Sequence, residues 1–202
     1  SEFTPYKDIL LFSDHSSVGE ELWVTDGTPT GTSLIRKYTE DNFLVNNPEY
    51  LTVFKDKVYL SVGDNYNAPD FSEVLGEGKE LWVTDGTTEG TQIIIDIREG
   101  FRSSNPRRMI TLGGLLYFIA DYEQGKMGLY QSDGTAEGTI LLNGSLSDLG
   151  FTRSSIRRLF VIGERLHFLV TNSENNLEIW ASDVINDIER PNYLTEIKVM
   201  PN

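Results

Sequence analysis

The stretch ELWVTDGT occupies residues 21–28 and recurs letter for letter at residues 80–87. Weaker copies follow as GLYQSDGT at 128–135 and EIWASDVI at 178–185. Aligned on its aspartate, the word falls at Asp26, Asp85, Asp133 and Asp183, with spacings of 59, 48 and 50. A period near 50 sustained over four copies is the mark of a repeat architecture. Copy 2 is longer by about ten residues, which lie between Asp64 and Lys79.

Alternation within the word places Glu21, Trp23 and Thr25 on one face of a strand and Leu22 and Val24 on the other. Both faces carry bulk, as a strand covered on both sides requires. The large ring recurs as Trp23, Trp82, Tyr130 and Trp180. The letters DGT then read as a hairpin, with Gly supplying positive φ and the Asp and Thr oxygens bonding nearby N–H groups. A second Gly-Thr pair (31–32, 90–91, 138–139) opens the next strand.

Around the word, each unit reads as four short strands. In copy 3 they are RRMITL (107–112), LLYFIAD (115–121), MGLYQSD (127–133) and TILLNG (139–144). Copy 2 repeats the order with YLTVF, KVYLSV, ELWVTD and TQIIIDI. No segment shows helical periodicity with caps at both ends. Consecutive four-stranded meanders predict an all-β chain, a β-propeller with four blades of four antiparallel strands. Residues 1–202 are expected to form one such domain, with blades near 1–46, 47–104, 105–154 and 155–202. The ring is expected to close within one chain, with a fragment of a larger ring or the pairing of two chains into eight blades as the alternatives.

The pattern resembles the bacterial ELWxxDGT repeat proteins. The resemblance covers nearly the whole chain and rests on ELWVTDGTPTGT (21–32), ELWVTDGTTEGT (80–91), LYQSDGTAEGT (129–139) and the linking SSNP (103–106) and NNP (46–48). Copy 4 departs from it, with Val184-Ile185 in place of Gly-Thr and Ile156 in place of the proline. The resemblance implies a propeller and an extracellular or cell-surface address, with the chain as part of a larger protein. It implies no activity for particular residues.

Composition narrows the partners. The net charge of −14 argues against nucleic acid, and no apolar run has the roughly 18 residues that a membrane helix needs. Residues 1–100 hold 19 acidic and 7 basic side chains, whereas residues 101–202 hold 12 and 10. Cysteine is absent, which excludes disulfides and thiolate chemistry.

Catalytic signatures are missing. His15 and His167 fall at non-equivalent places, and His167 replaces Tyr117 of copy 3 as an inward aromatic. No Ser-His-Asp order, HExxH or P-loop is present, and GEGK (76–79) lacks the spacing of a phosphate loop. Carboxylates are abundant enough for acid/base work, yet they repeat with the scaffold or crowd one loop. Asp14, Asp64 and Asp121, just after the second strands, are oxygen ligands of the type calcium takes. No string concentrates six of them, so turn capping is the simpler reading. No cofactor is expected, and an ion or water on the propeller axis is left open.

Two departures from the repeat carry the functional expectation. The copy-2 insertion, within DNYNAPDFSEVLGEGK (64–79), offers Tyr66, Asn67, Asp70, Phe71 and Glu73 as an acidic, aromatic finger. Such a loop, free of repeat constraints, can host recognition. Arg107 and Arg157 align with Glu49, and Arg108 and Arg158 align with Tyr50. These guanidinium groups are expected at the channel mouth, paired with Glu49 or with an anion. The chain therefore reads as a non-catalytic binding or adhesion module for a protein or glycan partner, with self-association as a further expectation. A lectin or carbohydrate-active enzyme, and a structural spacer, are the alternatives.

Overall fold

The computed structural model of the chain describes residues 3–16, 19–38, 47–63, 66–67, 74–75, 78–147, 150–172, 174–182 and 197–199. These residues form four antiparallel sheets of four strands and one short ribbon, and within each sheet the strands pair in their order along the chain. The chain divides into two compact units, 1–107 and 108–202.

In the first unit, sheet 1 comprises β1 (Phe3–Tyr6), β2 (Ile9–Ser16), β3 (Gly19–Thr25) and β4 (Ser33–Lys37). Sheet 2 begins with β5 (Glu49–Phe54) and β6 (Lys57–Gly63). A two-stranded ribbon, β7 (Tyr66–Asn67) and β8 (Val74–Leu75), interrupts it, and β9 (Lys79–Thr84) and β10 (Gln92–Ile95) complete it. In the second unit, sheet 3 comprises β11 (Arg107–Leu112, entered from the last residue of the first unit), β12 (Leu115–Glu123), β13 (Lys126–Ser132) and β14 (Ile140–Ser145). Sheet 4 comprises β15 (Ile156–Ile162), β16 (Arg165–Thr171), β17 (Leu177–Ser182) and β18 (Ile197–Val199).

The repeated word ends each third strand in one and the same hydrogen-bond network. In copy 2, Asp85 Oδ1 accepts from Thr87 N (3.0 Å) and Thr87 Oγ1 (2.7 Å). Gly90 N donates to Thr87 Oγ1, and Thr91 Oγ1 donates to Thr87 O. Gly86 N reaches back to Thr84 Oγ1, which also bonds Thr91 Oγ1 across the hairpin. Copies 1 and 3 repeat all six bonds, around Asp26 and around Asp133, with Ser132 standing for the leading Thr. The first glycine of each word has φ near +90° (Gly27 89°, Gly86 93°, Gly134 99°), where a side chain would be strained. The copy-4 aspartate, Asp183, lies outside the described residues.

Each sheet has a front face, carrying the large ring of the word, and a back face. In the first unit the front of sheet 2 packs on the back of sheet 1. Val58, Leu60, Val62 and Trp82 meet Tyr6, Leu11, Leu22, Ile35 and Tyr38 there in one core. In the second unit the front of sheet 4, with Leu159, Phe168, Val170 and Trp180, packs on Tyr117, Ile119 and Leu129 at the back of sheet 3. The ring of Trp82 meets Tyr38 edge-on at 5.6 Å, and Trp180 meets Phe151 edge-on at 5.0 Å. His167 is buried and stacks on Phe160 at 5.4 Å, the aromatic role that the sequence suggests.

Strand pairing corrects one alignment. Phe12 pairs with Trp23, Leu60 with Trp82, Phe118 with Tyr130 and Phe168 with Trp180. On that register Asp14 shares its rung with Glu21, whereas Asp121 lies one rung further on, opposite Met127. A slip of one residue turns a side chain to the other face. Asp14 accordingly points outward from the front of sheet 1 and is exposed, while Asp121 is buried on the back of sheet 3 and pairs with Arg153. The two aspartates are not equivalent positions.

Candidate functional site

The insertion of copy 2 is rooted at one end of sheet 2. Its two legs pair as a ribbon, Tyr66 with Leu75 and Asn67 with Val74. Asp64, Asp70, Phe71 and Glu73 lie outside the described residues.

The root is tightly built. Gly63 pairs with Lys79, and a Cβ on Gly63 would run into the carbonyl of Gly78. Gly78 has φ +74°, and a Cβ there would run into the carbonyl of Arg102. The chain can therefore leave and re-enter the sheet at this point only with glycine on both legs. Contact with Arg102 brings the root onto the segment 96–106, which leads from β10 towards β11.

One buried carboxylate holds that segment. Glu80, the first letter of the word, accepts from Ile97 N (2.9 Å), Ser104 N (2.7 Å) and Ser104 Oγ. It has no solvent exposure, and this burial pushes its pKa up to about 8 against the pull of its three donors. Lys79 N donates to Ser103 Oγ, Asn105 N donates to Lys79 O, and Arg98 Nη1 donates to Ser103 O. Here the letters SSNP of the link acquire their function, since both serine hydroxyls and the N–H of Ser104 tie the link to the root strand.

The same glutamate has another task in copies 1 and 4. Trp23 Nε1 donates to Glu21 (2.9 Å) and Trp180 Nε1 to Glu178 (3.0 Å). In copy 2 the link has taken the carboxylate, and the buried Nε1 of Trp82 has no partner among the described residues. In copy 3 the position is Gly128, because Leu141 fills the space a Cβ would need.

Among the arginine row, the sequence expects Glu49 to meet guanidinium groups. Its partner is instead Lys79, whose Nζ lies 2.5 Å from Glu49 Oε2 at the root of the insertion. The cause is local: Glu49 pairs with Ser61 at the end of β6, next to Gly63 and Lys79. Arg107 is half-buried and donates to Asn105 O (3.0 Å). Arg108 is half-buried with φ +58°, the same value as Tyr50, so both occupy a bulge. In sheet 4 the bulge falls one residue earlier, and Arg158 pairs with Leu169. Arg157 and Arg158 are both exposed, and Arg157 Nε donates to Thr171 Oγ1 (2.9 Å).

Beside the root, Phe101 is 52% exposed, with the Arg102 guanidinium 5.9 Å from its ring. Sequence reading missed this pair, along with Lys79 and Glu80. The signal for it is the segment REGFRSSNP, an aromatic between two arginines in the link that follows the copy with the insertion. No group of three or more Asp, Glu or His able to share an ion occurs among the described residues.

No family model matches the chain, and no curated protein matches it.

Proposed function

We propose that the four sheets are blades of a β-propeller of the ELWxxDGT type and that the chain is a non-catalytic binding module of a bacterial surface. The partner, a protein or a glycan, docks on the insertion of copy 2. Tyr66, Asn67, Asp70, Phe71 and Glu73 supply the contacts from the finger, with Phe101 and Arg102 beside its root. The observation that carries this reading is the root itself. Only copy 2 spends extra residues on its second connection, and there Gly63, Gly78, Lys79 and Glu80 clamp the legs to the link. The clamped root fixes where the insertion leaves and re-enters the sheet, and order of that kind already present before docking lowers the cost of binding.

Seven of the acids that composition leaves open for catalysis have scaffold tasks. Asp26, Asp85 and Asp133 hold hairpins, Glu21 and Glu178 hold indoles, Glu80 holds the link, and Asp121 pairs with Arg153. That distribution favours binding over acid/base chemistry.

The test is to shorten 64–79 to the length of the copy-3 connection and to probe both proteins on a glycan array and with purified envelope proteins. The expected outcome is an unchanged melting temperature with lost binding. Equal affinity in the shortened protein would overturn the assignment of the insertion, and turnover of a bound glycan would overturn the non-catalytic reading.

A further inference from the structure

We infer that the front of sheet 1 and the back of sheet 4 are the two halves of a contact between copies of this chain, so that two chains complete one ring of eight blades. The inference rests on the propeller reading and adds to it the partner that closes the ring.

The packing rule comes from the molecule itself. In both units a front face, marked by the ring of the word, lies on the back face of the preceding sheet. Sheet 1 has a front with the same chemistry. Phe3, Phe12, Trp23 and Leu34 form one rung across its four strands. The rings of Phe3 and Phe12 stack at 5.8 Å, and those of Phe12 and Trp23 at 6.4 Å. Yet Phe3 is 64% and Leu34 41% exposed, and Trp23 is only half-buried where Trp82 is buried. Sheet 4 has the matching back, on which Leu177 is 59%, Ile162 55% and Ile179 37% exposed. A ladder of aromatic rings and three exposed aliphatic side chains around the buried His167 and Ala181 are the kind of apolar surface that marks an interaction site.

Charge selects the occupant. The front of sheet 1 carries the exposed Asp14, paired with Glu21, which is buried and bonded to Trp23 Nε1, and Lys37 at its outer end. The back of sheet 4 carries Arg158 on the rung of Leu169 and Ile179, and Arg165 near its end, both exposed. An aromatic face with an exposed carboxylate therefore opposes a face with two exposed guanidinium groups and exposed aliphatic side chains. A second copy seated front to back satisfies both. The relation is reciprocal, so two chains give two such contacts.

The core of the first unit supplies the register. Leu22 on the back of sheet 1 and Ile93 on the front of sheet 2 belong to one cluster. Their counterparts in the repeat are Ile179 and Leu34.

The experiment uses the full chain, which has no cysteine of its own. Light scattering should return twice the 22.8 kDa of one chain. Leu34→Cys and Ile179→Cys, made separately and mixed under oxidation, should form a disulfide-linked dimer, and neither should do so alone. Arg158→Glu should raise the dimer Kd roughly tenfold, and Asp14→Arg in the same chain should restore it. A monomeric chain in which the double cysteine variant closes on itself would overturn the two-chain ring and leave the propeller reading intact. A monomer with no cross-link in either arrangement would overturn both. A dimer that resists cross-linking would place the contact elsewhere and overturn the inference.

Discussion

The carboxylate of Asp85 occupies the space that a side chain on Gly90 would need. The same relation holds between Asp26 and Gly31 and between Asp133 and Gly138. The two glycines of the word therefore differ in kind: the first is required by its φ, the second by the aspartate lying against it. Gly90→Ala should push Asp85 off Thr87 and cost roughly 2–3 kcal/mol, in the range of an overpacked site that also loses hydrogen bonds. Urea denaturation of the variant checks this, and Gly100→Ala is the control. Gly100 has φ +81° but nothing near its Cβ, so its loss should be the smaller.

Trp82 fills the core between sheets 1 and 2, and its Nε1 has no partner among the described residues. Trp82→Ala should cost roughly 3–5 kcal/mol, as large-to-small changes of a buried ring do. Trp82→Phe should recover most of that, because the indole N–H adds nothing to recover. Trp180→Phe should fare worse relative to its own alanine variant, because it abandons the bond to Glu178. Melting temperatures of the four variants decide the point.

Glu80 gives the first unit a pH dependence of definite sign. Its pKa is about 8 in the folded chain against 4.5 for an ordinary glutamate. Between these values the folded state holds a proton that the unfolded state has lost. Stability is therefore complete below pH 4.5, falls as pH rises, and levels off above about 8. Asp26 and Asp85 work in the opposite sense. Bonds from Thr28 and Thr87 lower their pKa values, so their contribution is present above the ordinary carboxylate range and is lost in acid. Stability should be greatest in mildly acidic solution, and denaturation midpoints from pH 4 to 9 should show it. Glu80→Gln should remove the alkaline slope, and an unchanged slope would assign it to another group.

The repeat made the strands legible, since each hairpin is spelled in the letters DGT and Gly-Thr, whose bonds are local. Copies 1, 2 and 3 show that hairpin intact. Register was less legible. Asp14 and Asp121 align in sequence, yet the connection after β2 is one residue shorter between paired rungs than that after β12. Only pairing reveals that difference. The root of the insertion was hidden for a different reason. Glu80 belongs to the repeated word and Ser104 to the link, 24 residues apart. Nothing in the spacing distinguishes a glutamate that holds an indole, as Glu21 does, from one that holds a crossover.

Glu49 and Lys79 supply the last prediction, because their burial is unequal. The Lys79 side chain is 9% exposed and that of Glu49 43%. Removing the carboxylate strands a buried ammonium, whereas removing the ammonium leaves a carboxylate that water can reach. Glu49→Ala should therefore cost more than Lys79→Met, roughly 2 kcal/mol against less than about 1, with the full buried-pair penalty reduced by the exposure of Glu49. The methionine also keeps the apolar stem of the lysine packed at the root. Both variants should be measured by denaturation at low and high salt. Equal losses would mean that the pair is a surface contact. The expected order, nearly insensitive to salt, places a desolvated cation at the base of the insertion.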